Sequence, residues 1–455
     1  MVGVAWLAVS GFVYYNTQVV NPYITSDVRE ERQIQYEQLY KQYEDQDLPK
    51  ITNVVYHIDM YPEDRNVFIR GEFVYKNESS TALDSIFYSY DPDWHPEVAI
   101  PGGELVLMDS IHNFMIYALK RPLAPGASMN LAIKTKYVTQ GFENEIGTTD
   151  IVENGTFLNS FTIMPTLGYQ ERGEISDKNL RKKKGLPIKK RMPDLTHNCG
   201  TACHENYLSR GTSDYINFES YISTSGDQTA IAPGTLLKEW QEDGRNHFHY
   251  KVDHPSQHFF SFISARFEVA KRKWKDIDLE VYYDKHHSVN VEMMLDAMER
   301  SLNYYTKNFG PYYHKQCRII EFPRYASFAQ AFPGTMPYSE AIGFVTDLSD
   351  DEANNIVDAV IAHEMAHQWW AHQVVGARMQ GGTMMSESFA EYSSLMTMKG
   401  IAKTPMKMRE FLKYDHQRYL RGRSREVDKE LPLYKVENQQ HIHYGKGSVL
   451  SLIHI

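Results

Sequence analysis

The hydrophobic pattern of this chain changes period along its length, and this change constrains the fold more than any other feature. In residues 54–60, 67–75 and 131–137, mostly apolar residues recur at every second position, which is typical of antiparallel strands with one buried face. Further along, Asn290 is the predicted cap of an amphipathic helix that runs through Lys307. The sequence therefore predicts an α+β fold, with a β-rich, mainly antiparallel domain at 46–284 and a mainly α domain at 285–455.

The composition excludes several classes of protein. The chain has 455 residues, of which 42% are hydrophobic and 23% are charged, and these fractions are typical of globular proteins rather than disordered ones. The 58 acidic and 48 basic residues give a net charge of −10, which disfavours nucleic acid as a partner. Three cysteines are too few for a scaffold built on disulfides.

The N-terminal segment Val2 to Tyr15 is apolar and uncharged. It is shorter than the ~20 residues of a membrane span, and it lacks the positive flank of a signal peptide. Three interpretations remain: the end of a membrane helix over residues 1–20, which we favour, a signal-like segment, or a buried helix. Because the first basic residue is Arg29, the pattern favours a membrane-anchored protein whose body is extracytoplasmic.

A polar helix follows the apolar segment, at residues 21–45. Ser26 is its predicted cap, and acidic residues occupy its early turns. Because the segment is rich in charged residues, the sequence predicts a solvated helical stalk.

Two further segments attract attention within the predicted β domain. Residues 181–191 contain seven Lys or Arg residues among eleven, and a solvated, mobile loop is favoured over a site for anionic lipid or a partner. Soon after come His197, Cys199, Cys203 and His204. Their spacing matches no standard zinc pattern well. Free thiols, or a local disulfide in an extracytoplasmic domain, are therefore favoured over a second metal site.

The strongest chemical signal is the sequence IAHEMAHQWW, which contains His363-Glu364-x-x-His367. On a helix, positions i and i+4 share a face, so both imidazoles can bind one metal ion. Glu364 follows the first of these ligands and can take a proton from the water that such a metal activates. The pattern predicts a zinc centre with Glu364 as general base.

A catalytic zinc centre has three protein ligands and one open position. The third ligand is expected on the next predicted helix, at residues 383–400, where Glu387 and Glu391 share a face. An exposed carboxylate pair is the alternative interpretation of these two residues. We expect Glu387 to be the ligand because it lies near the start of the helix.

At this point the chain resembles a known family. The sequences HEMAHQWW and SESFAEY resemble the zinc-binding motifs of the aminopeptidase N family of zinc peptidases, which are gluzincins. In this chain 19 residues separate His367 from Glu387, one more than in the family. We expect the additional residue in the loop around Gly381-Gly382. The resemblance implies that Glu387 is the third zinc ligand.

Two more motifs occur in the order that the family requires. In PGTMPYSEAIGF, the residues Ser339-Glu340-Ala341 correspond to M-E-N of the family's G-A-M-E-N loop. This implies that Glu340 binds the free α-amine of a peptide substrate. The segment HYGKGSVLSL resembles the family's Y-x-K-G motif, which implies that Tyr444 stabilises the oxyanion. The resemblance extends over about residues 309–450.

The resemblance implies an active zinc aminopeptidase with one zinc ion per chain and a peptide substrate. The implied fold is a β domain followed by a thermolysin-like, mainly α catalytic domain, which looks C-terminally truncated at Ile455. With the apolar start and the altered loop, the chain resembles the membrane-anchored branch fused to ABC transporter permease helices, truncated at both ends. The alternatives are a non-catalytic peptide-binding or structural domain of a membrane transporter, and a zinc endopeptidase.

Overall fold

The computed structural model describes residues 2–144, 150–197, 203–209, 211–346, 348, 356–402 and 404–450. They form two compact units. The N-terminal unit comprises Met1–Lys189, Tyr221–Ala230 and Gln241–His247, and the C-terminal unit comprises Lys190–Ser220, Ile231–Trp240 and Phe248–Ile455. The predicted boundary at residue 285 therefore does not coincide with the boundary between the units.

The N-terminal unit is built mainly from antiparallel strands. Its strands are Lys50–Tyr61, Asn66–Lys76, Leu83–Ser89, Glu97–Ala99, Gly103–Asp109, Phe114–Leu123, Ser128–Val138, Thr156–Asn159 and Thr166–Leu167. Its helical segments are Val2–Tyr14, Tyr15–Val20, Ser26–Tyr40, Lys41–Tyr43, Ser160–Ile163, Glu171–Gly173 and Lys178–Lys183. Four more strands belong partly to each unit: Ser213–Ser225, Thr229–Ile231, Thr235–Glu242 and Arg245–Lys251.

Strand pairing in the N-terminal unit follows the predicted alternation. Lys50–Tyr61 pairs antiparallel with Asn66–Lys76, which pairs in turn with Ser128–Val138. Along Asn66–Lys76 the buried side chains alternate with more exposed ones, since successive residues of a strand point to opposite faces. The β-rich, antiparallel character expected from the sequence is confirmed.

The helix Ser26–Tyr40 is packed, so the solvated stalk expected from its polar sequence is wrong. Tyr36 and Tyr40 are one turn apart and are buried in an aromatic cluster. Their partners in that cluster are Phe87, Phe114, Ile116 and Tyr169. Two tyrosines at i and i+4 form a narrow apolar stripe that a count of charges does not reveal. The cap also differs, because the Thr25 hydroxyl, not Ser26, accepts a hydrogen bond from Val28 N–H at 3.4 Å.

Arg181, the first residue of the basic run, is buried rather than solvated, whereas residues 182–185 are exposed. Arg181 is 2% exposed, lies on the helix Lys178–Lys183, and makes a bidentate ion pair with Glu37 at 2.7 and 2.8 Å. Its guanidinium also donates to the carbonyls of Ile175 and Pro187. The planar guanidinium satisfies a carboxylate and two carbonyls together, which makes its burial possible.

The apolar segment at the N-terminus forms the helix Val2–Tyr14, which has no buried side chain. None of the helices in the described part of the chain combines the length and the apolar character that crossing a membrane requires.

The C-terminal unit combines a small sheet with longer helices. Its strands are Ser256–Gln257, Ser261–Ala265, Glu268–Trp274, Ile277–Tyr283, Gln316–Phe322 and Thr335–Ser339. Its helices are Val291–Phe309, Glu340–Gly343, Ile356–His367, Phe389–Ile401, Pro405–Arg423 and Gly447–Leu450, with a 3₁₀ turn at Leu433–Lys435 and π-helical turns at Met384–Ser388 and His441–Lys446. The last four strands listed pair in sequence order, the first pair antiparallel and the others parallel.

The helix Val291–Phe309 forms part of the core that supports the site. Gly310 ends it with φ 113°, a conformation that glycine adopts without steric cost. Asn290 precedes the helix as predicted, but its side chain makes no capping bond. The amide instead donates to the carbonyls of Gly343 and Thr346. Asn290 therefore joins the helix to the segment after Glu340–Gly343.

Candidate metal centre

The helix Ile356–His367 directs two imidazoles to one point. His363 and His367 are both buried, and their Nε2 atoms are 3.0 Å apart. The apolar residues of the same helix hold it in the core against Val291–Phe309; among them are Val357, Ile361 and Met365. The predicted i, i+4 pair therefore lies on a rigid, buried element.

Glu387 completes a triangle of ligand atoms. Its Oε2 lies 3.5 Å from Nε2 of His363 and 3.4 Å from Nε2 of His367. Ligands bound to zinc at 2.0–2.1 Å in tetrahedral geometry are separated by about 3.3 Å. The residues present therefore fit a zinc ion, with two imidazoles and one carboxylate as donors.

A second layer of contacts orients the two imidazoles. Glu391 Oε2 lies 2.6 Å from Nδ1 of His363, while Nδ1–H of His367 donates to the carbonyl of Trp370 at 2.9 Å. Nδ1 therefore lies against an oxygen in both rings, through a hydrogen bond in His367 and a charge contact in His363, which leaves Nε2 for the metal. Of the two candidate carboxylates, Glu387 faces the Nε2 atoms and Glu391 faces the opposite nitrogen of His363.

Glu387 and Tyr444 each lie on a π-helical turn. These turns are Met384–Ser388 and His441–Lys446, and the Ser388 hydroxyl donates to the carbonyl of His443 at 2.7 Å. A π-helical turn contains an additional residue compared with an α-helical one, and such turns occur often at functional sites. The additional residue expected near Gly381-Gly382 can therefore be accommodated within the ligand turn itself.

The charges of the centre are strongly coupled. Burial raises the pKa of Glu364, and His363 and His367 offset part of this increase. Burial lowers the pKa of His363, but Glu391 and Glu387 outweigh it and leave this pKa well above its usual value. Burial raises the pKa of Glu387, but His367 and His363 hold it well below its usual range. Glu387 is therefore ionised and available as a ligand.

Tyr444 lies beside the same group. Its ring centroid is 5.7 Å from that of His363. Burial, with the charge of Glu387 and a hydrogen bond to it, raises the pKa of the Tyr444 hydroxyl, which keeps this hydroxyl a proton donor. Sequence reasoning did not identify Arg418, whose guanidinium lies 4.1 Å from the Tyr444 ring centroid. No sequence signal identified Arg418, which lies on the charged helix Pro405–Arg423.

Glu340 belongs to a second group of ionisable residues. It follows the strand Thr335–Ser339, and its Oε1 accepts a hydrogen bond from Arg324 N–H at 2.9 Å. One ligand atom from each of His287, Glu321 and Glu340 lies within 4.8 Å of the others. Neither His287 nor Glu321 lies in a motif, so neither was predicted from the sequence.

The cysteine-containing segment provides no second zinc centre in the described residues. Cys203 is disulfide-bonded, which matches the local-disulfide alternative, and Cys317 is a buried free thiol. Cys199 lies outside the described residues. Neither His197 nor His204 joins a group of converging ligand atoms in the part of the chain that the structure describes.

Comparison with known proteins identifies the helical part of the chain. Residues 293–451 match the Peptidase family M1 domain. Tricorn protease-interacting factor F2 of Thermoplasma acidophilum is 28% identical over 197 residues, covering 42% of this chain and 25% of the relative. Aminopeptidase N of Lactobacillus helveticus is 26% identical over 167 residues, covering 36% of this chain and 20% of the relative. The matched segments thus span a quarter or less of these relatives.

Solved structures extend the likeness to the N-terminal unit at the level of the fold. The M1 zinc metallopeptidase from Deinococcus radiodurans is similar with a TM-score of 0.56 at 15% identity, over 89% of this chain and 82% of that one. A two-domain M1 zinc metallopeptidase variant bound to L-arginine gives a TM-score of 0.58 at 15% identity, over 89% and 82% of the two chains. Residues 293–451 therefore match a Peptidase family M1 domain, within a chain that has the α+β fold of the M1 zinc metallopeptidases.

Proposed function

We propose that this protein is a zinc-dependent aminopeptidase that removes single residues from the N-terminus of peptides. The observation that carries the proposal is the triangle of ligand atoms from His363, His367 and Glu387, with edges of 3.0–3.5 Å. Glu364 lies next to His363 on the same buried helix. Two imidazoles and one carboxylate are the ligands of a catalytic rather than a structural zinc centre, and the neighbouring Glu can serve as its base.

His363, His367 and Glu387 would hold one zinc ion. When bound, zinc supplies Lewis acidity, which polarises the scissile carbonyl and makes water acidic near neutral pH. Glu364 is 6% exposed and has a raised pKa. A carboxylate with a raised pKa is a better acceptor for the proton of the attacking water, and as the resulting acid it can return that proton to the leaving amine.

Tyr444 would stabilise the charge that develops on the carbonyl oxygen. Its raised pKa keeps the hydroxyl protonated, so it can donate a hydrogen bond to an oxyanion. The Arg418 guanidinium at 4.1 Å from the ring centroid packs against this residue, and such contacts stabilise by about 0.5–2 kcal/mol. Arg418 therefore helps to hold the ring in place.

Glu340 would select a free N-terminus. It is half-buried, and a carboxylate in such a position forms a charge-assisted hydrogen bond with a protonated α-amine. A substrate without this amine would leave the carboxylate unpaired, at a cost of about 1–3 kcal/mol or more. This requirement distinguishes an aminopeptidase from an endopeptidase.

The test combines metal analysis with hydrolysis of two matched peptides, one free and one N-acetylated. We expect one zinc per chain, and cleavage of the free peptide at least tenfold faster in kcat/KM. Equal cleavage of both peptides would support the endopeptidase alternative. A folded, zinc-loaded protein that cleaves neither peptide would support a non-catalytic peptide-binding or structural domain.

The proposal includes attachment to a membrane through Val2–Tyr14, with the peptidase domain outside the cytoplasm. The apolar side chains of this helix are exposed, among them Trp6 and Phe12 at 67% and 62%. The disulfide at Cys203 is typical of oxidising compartments. Cosedimentation with phosphatidylcholine vesicles tests this. We expect the chain to bind and the double variant Trp6→Ser, Phe12→Ser to bind less, whereas equal binding of both would contradict it.

A further inference from the structure

His287 and Glu321 form an ion pair beside Glu340. Nδ1 of His287 contacts Oε1 of Glu321, and Oε2 of Glu321 accepts a hydrogen bond from Asp284 N–H at 2.6 Å. Glu321 is 5% exposed, so this carboxylate has little contact with solvent. Both of its oxygens have partners within the chain, which keeps it in one orientation.

Glu340 differs from Glu321 because its carboxylate can accept further hydrogen bonds from a ligand. Its Oε1 accepts from Arg324 N–H at 2.9 Å, and the side chain is half-buried rather than enclosed. A carboxylate has about four acceptor positions, so one backbone donor leaves most of them available to a ligand. In this group Glu340 is therefore the residue that can contact a ligand, while Glu321 lies behind it.

The contacts within the group leave Glu340 as the carboxylate that a cationic ligand would meet. Burial raises the pKa of Glu321 to about 7, although Asp284 N–H and His287 lower it. Burial lowers the pKa of His287, but the hydrogen bond and charge of Glu321 outweigh it and raise this pKa. His287 and Glu321 are therefore partners within the ion pair, and Glu340 remains to pair with one ammonium group.

We propose that Glu340 and the His287–Glu321 pair form one subsite for the ammonium group of a peptide N-terminus, in which Glu340 contacts the ammonium and Glu321 is a positioning residue. Glu321 lies within 4.8 Å of Glu340 and holds the imidazole of His287 beside it. The inference rests on the proposed aminopeptidase function and adds two residues to its substrate site.

The test measures binding separately from hydrolysis, in the full chain carrying Glu364→Gln. Calorimetry compares a free peptide with its N-acetylated twin in four backgrounds: Glu364→Gln alone, with Glu321→Gln, with Glu340→Gln, and with both. Glu321→Gln should weaken binding of the free peptide about tenfold and leave the acetylated peptide unchanged. The Glu321→Gln, Glu340→Gln pair should be no weaker than Glu340→Gln alone, because Glu321 acts through Glu340.

Two neighbouring histidines provide a matched control. His287→Asn should weaken binding of the free peptide, whereas His286→Asn should not, because His286 is exposed. Zinc content should be unchanged in all of these variants. Equal weakening of both peptides, or additive effects of the two Glu variants, would reduce Glu321 to a structural residue.

A metal titration covers the remaining possibility. Zinc, manganese or calcium is added to the zinc-loaded chain, and metal content is measured after dialysis. A second metal equivalent that disappears in Glu321→Gln would overturn the ammonium assignment, and no second equivalent is expected. If the wild-type chain discriminates between the peptides in binding but hydrolyses neither, the proposed function fails while the subsite stands.

Discussion

Both units of this protein bury ionisable side chains in ion pairs, but the C-terminal unit also buries a group of a different kind. In the N-terminal unit, each buried carboxylate meets cations of the same unit: Glu37 pairs with Arg181, and Glu174 lies 2.9 Å from both Lys41 and Lys189. The C-terminal unit contains such a pair too, Glu280 with Arg318 at 2.7 Å, but it also holds the converging ligand atoms of His363, His367 and Glu387.

This difference distinguishes ionisable side chains that stabilise the fold from ionisable side chains that can bind a metal ion. A carboxylate that is fully paired inside the fold is not available to a ligand, and breaking its ion pair changes the free energy of unfolding. Donor atoms that face one another at 3.0–3.5 Å have the spacing that is required to bind one metal ion together. The comparison predicts that substitutions in the two kinds of group should change different observables, stability for the ion pairs of the N-terminal unit and chemistry for the ligand group of the C-terminal unit.

Glu364→Gln gives the largest expected effect. The variant should retain zinc, because the three ligands remain, and should lose hydrolysis by roughly 10²–10⁴-fold, because the general base is absent. Zinc content and kcat are the measurements. Glu410→Gln, on the helix Pro405–Arg423, is the matched control and should leave both unchanged. Full activity of Glu364→Gln would remove this residue from the mechanism.

Arg181→Met should have the next largest effect, on stability. Arg181 is 2% exposed, and removing one partner of a buried ion pair costs about 3–5 kcal/mol. Denaturant unfolding of the full chain should reveal this loss, while zinc content should not change. Lys184→Met is the control from the same basic run, because its pair with Glu30 is more exposed. If Arg181→Met were as stable as Lys184→Met, the contrast between the units would be lost.

Glu391→Gln should change the metal centre by a smaller amount. Its carboxylate lies 2.6 Å from Nδ1 of His363 and supports that imidazole from the side away from the Nε2 atoms. Loss of such a supporting partner lowers metal affinity about 10–100-fold. Competition with a zinc chelator measures the change. Complete loss of zinc would instead make Glu391 a ligand and would contradict the role assigned to Glu387.

Glu174→Gln should give the smallest effect, a loss of stability at neutral pH below that of Arg181→Met, because its partners Lys41 and Lys189 are partly exposed. The pH dependence of stability should change with it. Burial raises the pKa of Glu174, but Lys41, Lys189 and Tyr169 outweigh it and lower this pKa. A carboxyl with a lowered folded pKa contributes stability that is fully present above its unfolded pKa, about 4.5. That contribution is lost as the pH falls through the folded value. Thermal unfolding between pH 7 and 3 should therefore decline less steeply in Glu174→Gln, and parallel curves would contradict this.

Several features of the fold could be predicted from the sequence because they depend on local periodicity. The alternation along Asn66–Lys76 and the helix Val291–Phe309 are two examples. The burial of the helix Ser26–Tyr40 was not predicted, because it depends on Tyr36 and Tyr40, whose partners are distant in sequence. The same reason applies to Arg181. Its charge predicted an exposed side chain, but its partner Glu37, distant in sequence, allows it to be buried.

The sequence by itself determined the pair His363 and His367 and placed Glu364 beside it, because helical spacing alone puts i and i+4 on one face. Helical spacing alone could not decide between Glu387 and Glu391, which share a face of the same segment, and only the position near the helix start and the family resemblance favoured Glu387. The tertiary structure orients Glu387 toward both Nε2 atoms and Glu391 toward Nδ1 of His363. The choice depends on how two helices pack and on the π-helical turn at Met384–Ser388, and a local pattern contains neither, because packing is set by residues distant in the chain.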